Sequence, residues 1–170
     1  MPFTPFHLGP ALFLGLVLLR FLDFPTFLIA NVIVDIEPFT VILLNLNYPL
    51  HGFLHSFLGG TLLAIALTAF MAGVRIRFNR ILSAFKIEQE TSTGKILSAS
   101  LLGIYIHIIL DSYMHSDIRP FYPLDINPFL SRSMLVGLKI NMLCTWMFIA
   151  GLITSYQSLR LSRSPQLERS

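Results

Sequence analysis

Five apolar runs dominate this chain, at about residues 8–22, 25–46, 50–74, 96–114 and 134–159. Crossing the hydrocarbon core of a bilayer takes about 20 mostly apolar residues in a helix. The first run is short for that purpose and the other four reach or approach it. The pattern restricts the chain to an all-α fold, a polytopic integral membrane helix bundle of about five transmembrane helices (or four plus a re-entrant segment). Residues 1–170 then form a single membrane domain. Composition agrees: 54 % of residues are hydrophobic and 12 % are charged, whereas soluble domains carry about 25 % charge. Twelve Lys+Arg and nine Asp+Glu cannot coat a sphere of 170 residues with polar surface. A disordered chain, a disulfide scaffold and a repeat array are excluded on the same ground. Cys144 is the only cysteine, so no internal disulfide exists.

Three separators divide the runs. Arg20-Phe-Leu-Asp23-Phe-Pro25 reads as a tight turn with a proline at a helix start. Residues 75–95 form a polar loop, and residues 115–133 a loop rich in proline and aromatics. If the spans alternate, nine of the twelve basic residues fall on one side: Arg20, five between Arg75 and Lys95, and Arg160, Arg163 and Arg169. Positive charge marks the cytoplasmic side. The expected placement is therefore a multi-pass protein of the cell membrane, with the N-terminus outside, the 75–95 loop and the C-terminus cytoplasmic, and the 115–133 loop outside. The N-terminus carries no Lys or Arg and no small-residue cleavage site, which argues against a removed signal peptide. The sequence pI near 9.3 fits loops held against anionic headgroups. Nucleic-acid binding is not expected, because the basic stretch at 75–86 adjoins the membrane. Membrane lipids are the expected partners, and oligomeric state is not legible.

Ionisable groups within membrane spans are costly, and the default reading is a functional site. His7, Asp35, Glu37, His51, His55, His107, Asp111 and His115 all lie within or at the edges of the spans. Under a topology set by Lys and Arg alone, every one of them falls in the outer half. The spacing His51-x-x-x-His55 puts two imidazoles on one helix face, about 6 Å apart along the axis. His107-x-x-x-Asp111-x-x-x-His115 makes one stripe of about 12 Å. Asp35 and Glu37 would point in nearly opposite directions on a regular helix. Pro38 disfavours helical backbone at Glu37, so the expectation is a break there that turns both carboxylates inward.

Imidazole and carboxylate at this density is ligand chemistry. The expected cofactor is a divalent metal, zinc first and manganese second, as one ion or as two neighbouring ions bridged by Asp111 or Asp35. The expected ligands are His7, Asp35, His51, His55, His107 and Asp111. Glu37 is the candidate catalytic residue, as general base or as an orienting group. Plainer readings stand beside these: His7 as an interfacial tail residue, His51 and His55 as headgroup-facing, and His115 as an interface or supporting residue. Trp146, Tyr156 and the phenylalanines read as membrane packing and interface anchors.

The order His7, Asp35-Ile-Glu37-Pro38, His51-Gly-Phe-Leu-His55-Ser56, His107-x-x-x-Asp111 resembles the predicted membrane-bound metal-dependent hydrolases, which include the LexA-regulated inner-membrane group of bacteria and archaea. The resemblance covers roughly residues 1–115. In that family the second acid is Asp rather than Glu, and the histidine segment is one residue longer and carries an arginine. More distantly, the order is similar to the zinc-dependent phospholipase C enzymes. That likeness implies His7, Asp35, His55, His107 and Asp111 as ligands, with Asp111 as a bridge. The expected function is a membrane-bound metal-dependent hydrolase with an extracytoplasmic site, acting on a phosphoester or lipid-linked substrate. The 115–133 loop would form a lid over the site, with Arg119 near the phosphate. The alternative is a transporter or channel subunit that moves metal ions or protons through the same cluster. A metal-stabilised structural protein without turnover is a third reading.

Overall fold

The computed structural model describes residues 5–85, 87 and 89–161. Helices carry the fold, and no strand occurs among the described residues. A short 3-10 turn, Pro5–His7, leads into α1 (Leu8–Val17). Then come α2 (Phe24–Ile33), α3 (Ile36–Leu43), α4 (Phe57–Val74), α5 (Asn79–Ala84), α6 (Thr93–Ser112) and α7 (Met134–Leu161). Four segments are long and apolar enough to cross a membrane: Phe24–Leu43, Phe57–Phe78, Thr93–Ser112 and Met134–Gln157. The first of these is α2 and α3 taken together.

The first apolar run, already short for a span in the sequence, forms a still shorter helix. Its helix has ten residues, about 15 Å at 1.5 Å per residue, half of what a bilayer core demands. The chain leaves helical geometry at Leu18. It then turns through Phe21 and Leu22, whose N–H groups both bond back to the Leu18 carbonyl. The turn reaches Asp23, which starts the next helix: its carboxylate accepts from Thr26 N, and Pro25 occupies the first turn. Segment 8–22 still runs between the same two ends as its neighbours. His7 meets Asp111 at one end, and the Leu19 and Leu22 carbonyls accept from Gln89 at the other.

Helix α6 sits between α2 and α4, while α1 packs against both α2 and α7. The core between them holds Ala30, Val34, Leu67, Met71, Ile104 and Ile108. Close backbone approach fixes two of the interfaces. A Cβ at Gly103 would lie 2.5 Å from the Ala30 methyl, and one at Gly9 would lie 2.0 Å from the Cys144 carbonyl oxygen. Small residues at such crossings are how membrane helices gain van der Waals contact without a hydrophobic drive between them. Helix α7 leaves Leu138, Met142, Trp146, Ile149 and Ile153 exposed, an apolar face suited to lipid.

Candidate metal centre

The link between α2 and α3 positions both acids. Val34 and Asp35 keep right-handed backbone (φ −61°, ψ −34° and φ −64°, ψ −6°). The ladder tightens here: Asp35 N–H bonds to the Val32 carbonyl at 3.1 Å and Glu37 N–H to the Val34 carbonyl at 3.2 Å, three residues back in each case. The break therefore falls at 34–35, ahead of the place expected from Pro38, and Glu37 lies inside α3. Pro38 is tolerated because it occupies the first turn of α3, where its missing N–H would have had no helical partner. The tightened link turns both carboxylates inward.

Segment 51–56 is not helical in the way that the His51/His55 spacing suggested. A 3-10 turn, Phe53–His55, ends at Ser56, whose hydroxyl caps α4 by accepting from Gly59 N at 3.0 Å. Glu37 organises this turn. Its carboxylate accepts from Gly52 N (3.0 Å), Leu54 N (3.1 Å) and His55 Nδ1 (2.8 Å). Three donors on one carboxylate tie Glu37 to this turn and to the His55 ring.

The donors meet where the C-terminal half of α6, the α2–α3 link and the start of α4 converge. One ligand atom from each of Asp35, His55, His107 and Asp111 lies within 4.8 Å of the others, and all four residues are buried. His107 Nε2 is 3.3 Å from Asp111 and 3.5 Å from Asp35. His7 joins from the chain's first turn: its Nε2 is 3.0 Å from Asp111, and its ring stacks on His107 at 4.1 Å between centroids.

Hydrogen bonds set the tautomers. His107 Nδ1 lies 2.8 Å from the Asn31 carbonyl, which only accepts, so Nδ1 carries a proton and Nε2 is the nitrogen that faces the cluster. Glu37 does the same for His55. Such partners on the remote nitrogen are the usual support of metal-bound histidine. His55 Nε2 and His107 Nε2 are buried and make no hydrogen bond among the described residues, while His7 Nε2 and Asp111 Oδ1 face each other at 3.0 Å. Buried polar atoms left unpaired in this way cost free energy, and a cation placed among them would remove the cost. Two imidazole nitrogens and two carboxylates also match the donor types zinc takes. The residues present fit a divalent metal.

His51 lies beside this quartet and outside it. Its ring meets His55 edge-on at 4.7 Å, and it groups with His115 and Asp117. The expected single stripe of His107, Asp111 and His115 is broken, because α6 ends at Ser112 and His115 turns toward His51, 4.3 Å between ring centroids. The two groups of donors share no residue. His51 Nδ1 lies 3.0 Å from both oxygens of Asp117, and His51 N–H donates to the same carboxylate at 3.1 Å. Burial alone would raise the Asp117 carboxyl, but these His51 contacts outweigh it and hold the group below the usual carboxylate range. Burial, reinforced by neighbouring His51, pushes His115 below the ordinary imidazole value.

A cleft of about 460 Å³ opens on His51 and Asp117, with Tyr48, Phe53, Arg119 and Tyr122 among its walls. Arg119 pairs with Asp125 at 2.9 Å on its exposed rim. The loop after α6 is pinned over this region: Phe57 N–H donates to the Pro120 carbonyl at 2.8 Å, and Asn127 donates to the Ser112 carbonyl at 2.9 Å. Two contributors escaped the sequence reading. Asn31 acts through its backbone carbonyl, which leaves no side-chain signal. Asp117 sits in an aperiodic loop, where the short spacing His115-Ser116-Asp117 is the only clue. No family model, no curated protein and no solved structure matches this chain.

Proposed function

We propose that this chain is a membrane-bound, metal-dependent hydrolase that cleaves a phosphoester in a phospholipid or lipid-linked substrate from the extracytoplasmic side. The observation that carries this reading is the buried convergence of Asp35, His55, His107 and Asp111, with unpaired Nε2 atoms aimed inward. Those four residues, with His7 against Asp111, would hold the metal; zinc is the favoured ion and manganese the next. A bound divalent metal supplies Lewis-acid polarisation and lowers the pKa of a coordinated water toward about 7. The protein's own residues do the rest. Glu37 and the Asn31 carbonyl fix the tautomers and angles of His55 and His107. The cleft beside His51 admits the substrate, and Arg119 on its wall meets the anionic phosphate. The pinned loop above keeps bulk water from the buried donors.

The orientation rests on charge. The donors gather where α4 begins and α6 ends, and Arg75 and Lys95 lie at the opposite ends of those helices. Positive charge at that opposite end supports a cytoplasmic placement for it and an outward-facing cluster. Transport through the same cluster is the less supported reading. Between the two ends the core is apolar, and its hydroxyls Thr68 and Ser100 are bonded to each other at 3.1 Å.

Detergent-purified protein tests the proposal through metal content and turnover of phosphodiester substrates, with Asp35→Ala and His107→Ala as controls. Wild type should retain zinc or manganese and hydrolyse the ester, and both variants should lose both properties. Wild type that holds no metal after repletion, or that holds it without cleaving any phosphoester, would overturn the hydrolase reading.

A further inference from the structure

We infer that His51, His115 and Asp117 form a second metal site, separate from the buried quartet and opening on the cleft. One ligand atom from each lies within 4.8 Å of the others, and none of the three belongs to the quartet. The juxtaposition is long-range and built by the backbone. His51 precedes the turn that leads into α4, and His115 and Asp117 follow α6. The His51 N–H bond to Asp117 and the Phe57 N–H bond to the Pro120 carbonyl tie the two segments together. The donors are thus held by main chain on both sides, unlike a chance meeting of surface side chains.

Donor chemistry defines the ligand as a divalent cation. Two imidazoles and one carboxylate are a three-donor set, and three protein ligands leave coordination positions open. Three imidazoles are crowded here, with His51 4.3 Å from His115 and 4.7 Å from His55 between centroids. Exposure separates this site from the inner one. His51 is buried, but the Asp117 side chain is 38 % exposed and both residues line the cleft. An ion held there exchanges with solvent, whereas one in the quartet is enclosed. The inner site is therefore the tight one and the outer site the weaker, exchangeable one.

Equilibrium dialysis of the full-length, detergent-solubilised protein against graded Zn²⁺, with metal counted by mass spectrometry, tests this without any turnover measurement. A failed hydrolase assay would leave the result standing. Wild type should bind two equivalents in two affinity classes. Asp117→Asn and His115→Gln should each abolish the weaker class and leave the tighter one unchanged, while His107→Ala should do the reverse. His115→Gln leaves the His51–Asp117 contact alone, so it decides the matter if Asp117→Asn disturbs the loop. A single class in wild type would overturn the inference. So would survival of both classes in the two outer variants, or a weakened tight class in them, which would make His51 and its partners part of the inner site.

Discussion

Two groups of buried polar side chains lie at opposite ends of the bundle, and they differ in the sign of what they leave unpaired. At the end where α2 begins and α4 finishes, Asp23 accepts from Thr26, Thr91 and Arg75. Arg75 also donates to Asn79, and Gln89 closes the turn by donating to the Leu19 and Leu22 carbonyls and accepting from Phe24 N. Donors there face acceptors, and the buried charges are of opposite sign. At the other end, Asp35, Asp111, His55 and His107 turn ligand-type atoms toward one another, and the buried Nε2 atoms of His55 and His107 have no hydrogen-bond partner among the described residues. The first arrangement pairs its carboxylate with donors and leaves over a donor, Arg75 Nη2, and the second asks for a cation. Buried polarity alone does not mark a site; the kind of atom left over does.

That contrast can be broken most severely at Asp23. Asp23→Ala leaves the Arg75 guanidinium buried without its counter-ion, and should cost about 3–5 kcal/mol of stability, read by denaturant or thermal unfolding in detergent. Metal content per folded molecule should stay unchanged. Asp35→Asn is the mirror experiment. It should abolish tight metal binding, and the metal-free variant should be at least as stable as metal-free wild type, because one buried charge disappears from among like groups. A large loss of metal-free stability would put Asp35 in the same class as Asp23.

Glu37→Gln sharpens the comparison within the histidine and carboxylate cluster. Its three hydrogen bonds orient His55 and the turn before α4, so metal affinity should fall about 10–100-fold with the helical content retained on circular dichroism. An unaltered affinity would remove Glu37 from the support of the site. Smallest is Thr68→Val, midway between the two ends. It removes the hydroxyl bonds to Ser100 and to the Ala64 carbonyl and should change stability by about 1 kcal/mol while leaving metal binding intact.

Much of the histidine and carboxylate cluster was legible in the residues. Asp35, His55, His107 and Asp111 are costly in an apolar run, and a position that lipid penalises stands out without any knowledge of contacts. His7 was visible too, although its stacking on His107 was not. The far end was not legible. Asp23 read as part of a turn and Arg75 as a loop charge, because their pairing spans 52 residues of sequence and each sits at the edge of an apolar run, where charges are ordinary. His51 and His55 misled at i, i+4. That spacing implies a shared face only inside a helix, and Ser56 starts α4 after both of them.

Apolar run length and the positions of ionisable residues determined that this is a helical membrane bundle, and which groups are candidates for a site. Both follow from solvation, which acts residue by residue and needs no partner to be named. Tertiary structure alone decided that Glu37 bonds to His55 and that His51 leaves the quartet for His115 and Asp117. Those outcomes depend on where the turns at 18–23, 34–35 and 113–133 direct the chain. The turns at 18–23 and 34–35 close on local bonds, Phe21 and Leu22 to Leu18 and Asp35 to Val32, but the 113–133 loop is tied down by bonds between segments distant in sequence, such as Phe57 to Pro120, which no local pattern encodes.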